Sequence, residues 1–200
     1  MSISASSLKQ RFVTALQARG FSISPPGAGP HQDQMLTALS QSFVDLWSVA
    51  VTIPANGPNP GSAQPHTHTL TPGILTGPAL EARILSLLTD FDVNQHAQWP
   101  AFVSAWSNGV GTHFLTVLTD VKDGNDLAHT HSWFGVTGTT LAGLVKAPLL
   151  SNPDFDLNHP VCKLPDYIDG LSEALVDAVL IDGSTTPPIV SGSTHQHLPL

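Results

Sequence analysis

The stretch Pro65-His66-Thr67-His68-Thr69 returns twice along the chain, as Ala128-His129-Thr130-His131-Ser132 and as Thr194-His195-Gln196-His197-Leu198. The first histidines of successive pairs stand 63 and 66 residues apart, and six of the ten histidines belong to the three pairs. In an extended segment residues i and i+2 point to one side, roughly 6.5–7 Å apart. Each pair can therefore turn both imidazoles toward one ion, one pocket or one symmetry axis. Recurrence at such a period is the signature of an internal repeat. It divides the 200 residues into one domain of three related units, about 1–70, 71–135 and 136–200.

Ahead of each pair the chain reads as two helices and a loop. In the first unit Leu8, Phe12 and Leu16 recur at i, i+4, i+8 from a start at Ser7, and Gly20 stops the helix. Asp33 is suited to cap a second helix with Leu36, Leu39, Phe43, Leu46 and Trp47 on one face. The Pro/Gly-rich residues 54–65 then deliver the first pair. In the second unit Pro78 fits a first helical turn, and Leu80, Ile84, Leu87, Leu88 and Phe91 form the stripe. A further helix is expected from about Trp99-Pro100, with Phe102, Val103, Trp106, Val110, Phe114 and Leu118 inward. In the third unit Leu141, Leu144 and Val145 predict a short helix ending before Pro148. Residues 151–165 form a Pro-rich insertion, and Asp166 starts a helix lined by Ile168, Leu171, Leu175, Val176 and Val179.

Two further likenesses link the units. Leu75-Thr76-Gly77 and Val136-Thr137-Gly138 follow a His pair in the same way, and Phe43-Val44-Asp45-Leu46-Trp47 compares with Phe102-Val103-Ser104-Ala105-Trp106. Glu173-Ala174-Leu175-Val176-Asp177-Ala178 is a fainter third copy of that window. The fold expected is mainly α: three tandem helix-pair units with Pro/Gly-rich extended loops carrying the His-x-His pairs.

Charged residues are only 11% of the chain, against about 25% in an average globular protein. Polar surface is therefore Ser, Thr, Asn and Gln, with 17 Pro and 16 Gly. So little charge is easiest to understand if partner subunits cover large surfaces, and the chain is expected to work as an oligomer. Trp133-Phe134, directly after the second pair, is the candidate interface contact, because aromatic residues are enriched at interface cores. A net charge of −8 with seven Lys and Arg argues against nucleic acid. No stretch approaches the roughly 18 apolar residues of a membrane span, no secretory signal is expected, and the single Cys162 fits synthesis in a reducing cytoplasm.

Six neutral imidazoles gathered on one axis, His66, His68, His129, His131, His195 and His197, suit a transition metal. Octahedral nitrogen favours iron, nickel or cobalt, whereas zinc prefers four ligands. The same pairs would also serve as loop ties, each ring bonding a backbone carbonyl, so both readings stand. The three-fold can lie within one chain or between three. Enzyme signatures are missing. Gly61 and Gly124 precede their pairs by five residues, one short of the cupin metal motif, and the following glutamate is absent. The chain also lacks Gly-x-Ser-x-Gly, a phosphate-binding loop and His-Glu-x-x-His. The expectation is a protein that is not an enzyme.

Residues 35–80, with Ala50-Val51-Thr52-Ile53-Pro54-Ala55-Asn56-Gly57 and Ile74-Leu75-Thr76-Gly77, resemble small virion proteins of tailed bacteriophages. The His-x-His pairs are similar to those of phage tail spikes and fibres, where three chains converge on an axial iron. The resemblance implies a structural tail or baseplate subunit, made in the host cytoplasm and located in the virion. Its partners would be other virion proteins, in a trimer or larger oligomer. A metal-binding enzyme and a bacterial protein-interaction module are the alternatives.

Overall fold

A computed structural model describes residues 3–23, 30–50, 52–54, 68–70, 74–88, 98–115, 118–122, 130–133, 136–159, 161–182, 189–191 and 194–196. The protein is mainly helical. Among the described residues the order is α1 (Ala5–Ala18), α2 (Pro30–Trp47), β1 (Thr52–Pro54), β2 (His68–Leu70), α3 (Gly77–Leu87), α4 (Gln98–Leu115), β3 (Leu118–Lys122), β4 (Thr130–Trp133), α5 (Gly138–Leu150), α6 (Leu164–Asp182), β5 (Ile189–Ser191) and β6 (Thr194–Gln196). Helix, helix, strand, strand thus runs three times. Each helix packs against the next in sequence, and α6 packs against α1, so the six close into a ring.

The odd helices begin alike. Ser4, Thr76 and Thr137 are N-caps with extended backbone, and their hydroxyls accept from the amides of Ser7, Ala79 and Thr140. Such a cap is worth about 1 kcal/mol. The residue before each cap, Ile3, Leu75 or Val136, is buried, as is the residue four after it, Leu8, Leu80 or Leu141. That pairing of apolar positions around a cap fixes the angle at which the chain enters a helix. Beyond it the odd helices bury narrow stripes: Leu8, Phe12 and Leu16 in α1, Leu80 and Ile84 in α3, Leu141, Ala142, Val145 and Leu149 in α5.

The even helices are buried around more of their circumference and share one burial register. Met35, Leu36, Ala38, Leu39 and Ser40 in α2 correspond to Phe102, Val103, Ala105, Trp106 and Ser107 in α4, and to Tyr167, Ile168, Gly170, Leu171 and Ser172 in α6. All fifteen are buried. Their aromatic side chains meet across the ring. Phe12 of α1 reaches Trp106 of α4 at 6.3 Å between ring centroids, Phe43 reaches Phe114 at 5.6 Å, and Phe102 reaches Tyr167 at 6.1 Å. Trp47 and Trp106 are core residues, not a surface contact.

Several expectations are corrected. The first helix begins at Ala5, two residues before Ser7, because Ser4 supplies the cap. Asp33 lies inside the first turn of α2, where it pairs with Lys9 at 2.8 Å. The helix α6 starts at Leu164, which leaves Asp166 as a first-turn acid near the positive end of the dipole. The helix α5 runs through Pro148 to Leu150, so the proline costs one hydrogen bond near its end without stopping it. The windows beginning Phe43-Val44 and Phe102-Val103 are out of register. Phe43 corresponds to Val110, and Phe102 to Met35, two turns away.

Glycine sets how closely the helices approach. A Cβ on Gly111 of α4 would stand 2.5 Å from the backbone nitrogen of Gly77, and one on Gly138 would stand 2.7 Å from Glu173 Cα. Gly143 in α5 faces open space. Urea unfolding should therefore show Gly111→Ala destabilised by about 1–3 kcal/mol through overpacking. Gly143→Ala should gain up to about 1 kcal/mol from helix propensity. Equal effects at the two positions would mean that α3 and α4 do not touch there.

Candidate functional site

The strands put the histidine-bearing segments at one end of the ring. β1, β3 and β5 follow the C-termini of α2, α4 and α6. β1-β2-β3-β4 form one antiparallel sheet in that order, and β5-β6 form a second whose β6 lies against β1. The extended segments expected around the pairs are therefore second strands of hairpins. His68 opens β2, His131 is the second residue of β4, and His195 the second of β6. Their Cα partners are Pro54 and Thr119 for His68, Val121 for His131, and Val190 for His195.

His68 and His131 flank β3 at ladder positions of the same parity, two residues apart along it. Standard strand spacings put their Cα atoms roughly 12 Å apart. His66, His129 and His197 lie outside the described residues, as does Phe134; Trp133 ends β4. Among the described residues no group of three or more His, Cys, Asp or Glu could hold a metal ion. No helix among them is long and apolar enough to cross a membrane.

Charge is concentrated between helices. Lys9–Asp33 joins α1 to α2, Arg83–Asp45 joins α2 to α3, Lys146–Asp169 joins α5 to α6, and Arg19–Glu173 joins α6 to α1. At least four of the seven basic residues are used in this way among the described residues. The Lys9 and Arg19 of the first helix are thus ring contacts, not a basic patch.

At the other end, where the even helices begin, lies a cavity of about 560 Å³. Its described lining is largely aromatic, from Phe21, Trp99, Phe102, Phe155 and Tyr167, with Gln32, Gln98 and Lys163 as the polar members. Gln98 is held at the rim by donating from Nε2 to the carbonyl of Asp154 at 2.9 Å. No sequence motif marks this cavity. It arises where the first turns of three helices from distant parts of the chain come together.

No family model matches the chain, and no curated protein or solved structure matches it either.

His113 of α4 is 3% exposed and packs edge-on to Phe114 at 5.2 Å. Burial pushes its pKa below the usual 6.5. The folded protein therefore holds a neutral imidazole at pH values where the unfolded chain has taken up a proton. Stability contributed this way is present above pH 6.5 and is lost as pH falls from there toward the lowered folded value. The urea midpoint should drop between pH 7.5 and pH 5.5, and more shallowly in His113→Leu. An unchanged slope in the variant would show that His113 is not the group concerned.

Proposed function

We propose that the chain is a non-enzymatic structural subunit of a tailed-phage particle, of its tail or baseplate. In this reading three related helix–helix–hairpin units close on themselves, and the hairpin end engages other virion proteins. The observation that carries it is the emergence of all three histidine-bearing hairpins from one end of the helical ring, each after an even helix. The shared caps and shared burial register support descent of the units from one ancestor, with the three-fold inside the chain. The low charge content supports a subunit with covered surfaces, since Lys9, Arg19, Arg83 and Lys146 are engaged in ion pairs between helices.

A metal at the hairpin end belongs to the same proposal. His68 and His131, on alternate strands of one sheet, are separated by a distance that two imidazoles span when they reach toward each other. With His66, His129, His195 and His197 they make the donor set for iron, nickel or zinc. The donors must be neutral, so binding weakens as pH falls through the histidine range. Trp133 and Phe134 sit beside the second pair in sequence and are the proposed contact with a neighbouring subunit.

Two measurements test the proposal. Mass spectrometry of purified particles from the encoding phage should find the chain, and its deletion should leave incomplete tails. Recovery only from the lysate, with intact particles after deletion, would contradict the virion role. Elemental analysis of the purified protein should find a transition metal that is lost to a similar extent in His68→Ala, His131→Ala and His195→Ala. Metal retained by all three variants would remove the histidine site and leave the structural role standing.

A further inference from the structure

The cavity opposite the hairpins lies on the axis of the ring. Gln32 of α2, Trp99 of α4 and Leu164 of α6 occupy the same position in the shared burial register, three residues before Met35, Phe102 and Tyr167, and all three line it. Helices arranged around an axis leave a hole that their inward side chains must fill. Deeper in, Phe12, Trp106, Phe43 and Phe114 fill it. At the first turn of the even helices it remains open, with the roughly 300–1,000 Å³ typical of small-molecule pockets.

Its chemistry is asymmetric. Tyr167 stands edge-on to Phe21 at 5.5 Å and to Phe102 at 6.1 Å, making an aromatic wall. Tyr167 is 5% exposed, and its hydroxyl is buried without a hydrogen-bond partner. An unsatisfied buried donor is costly, so the site gains from an acceptor brought to it. Lys163 is the only charged residue among the described lining. Its described ion-pair partner, Asp166, is 3.9 Å away, and its side chain is 71% exposed, so the ammonium can turn to a ligand. The even helices also begin here, and their first-turn amides carry partial positive charge. The net charge of −8 repels anions at long range, but physiological salt screens that beyond about 8 Å. The nearest groups therefore decide the sign.

We propose that this axial cleft binds a small planar aromatic carboxylate, its ring against the Phe21, Trp99 and Tyr167 wall and its carboxylate held by Lys163. The site is independent of the hairpin histidines and of any virion role. Titration calorimetry of the full chain with benzoate, benzyl alcohol and benzylamine tests it, since the three share a ring and differ in charge. Benzoate should bind with a Kd on the order of 1 mM, well short of the ceiling for a ligand of its size. Benzylamine should bind about tenfold more weakly. Lys163→Gln, at an exposed side chain, should weaken benzoate about tenfold and leave benzyl alcohol unchanged, while Trp99→Ala should weaken both. Circular dichroism confirms that each variant is folded. The proposal is overturned if benzoate binds no tighter than benzylamine, if Lys163→Gln leaves benzoate unaffected, or if none of the probes binds at tenfold the expected Kd.

Discussion

The contact between α1 and α6 joins the first helix of the chain to the last, and the ring depends on it. Without that contact the six helices would form an open row with two unpaired apolar edges. The stripe Leu8, Phe12 and Leu16 is fully buried, at roughly 1.5–3 kcal/mol for each such side chain, and fastens α1 into the ring. Arg19–Glu173 lies at the same seam but is partly exposed, and pairs of that kind contribute at most about 1 kcal/mol. Its role is register. Gly170 of α6 makes the close approach, since a Cβ there would sit 3.1 Å from a methyl carbon of Leu16.

Closure has consequences at both ends of the ring. Antiparallel helix pairs put the N-termini of α1, α3 and α5 beside the C-termini of α2, α4 and α6; β1–β2 and β3–β4 fill the links from α2 to α3 and from α4 to α5, and β5–β6 follows α6. The hairpins can then share a sheet, as β2 and β3 do between units. At the other end the first turns of the even helices diverge around the axis and leave the aromatic cleft. One arrangement of helices therefore puts the histidine-bearing strands at one end and the aromatic cleft at the other. The few charges follow the same logic, clasping the outer sides of seams whose inner sides are apolar.

Much of the helical content was legible because the stripes of α1, α3 and α4 repeat at helical period in the sequence. The caps were half legible. Thr76-Gly77 and Thr137-Gly138 stand out as a repeated pair, but Ile3-Ser4-Ala5 carries the same pattern in different residues, and Ser7 is an equally good capping residue by type. The false match of Phe43 with Phe102 has a physical origin. Inner helices are apolar around most of their circumference, so periodicity leaves their register free, and five residues of likeness settle on the wrong turn. Strands of three residues between Pro/Gly-rich segments have too short a pattern to be read as strands. The cleft was invisible because Phe21, Trp99, Phe155 and Tyr167 come from four separate stretches.

Ring closure is the claim on which everything else rests, and a disulfide tests it directly. With Cys162 replaced by serine, cysteines at positions 15 and 170 would stand on opposite sides of the α1–α6 seam, where a Cβ on Gly170 lies 3.7 Å from the Ala15 carbonyl carbon. On mild oxidation at low protein concentration the Ala15→Cys, Gly170→Cys variant should form an intramolecular disulfide and become more stable to urea. A pair that stays reduced in folded protein, or that links only separate chains, would contradict a ring closed within one chain.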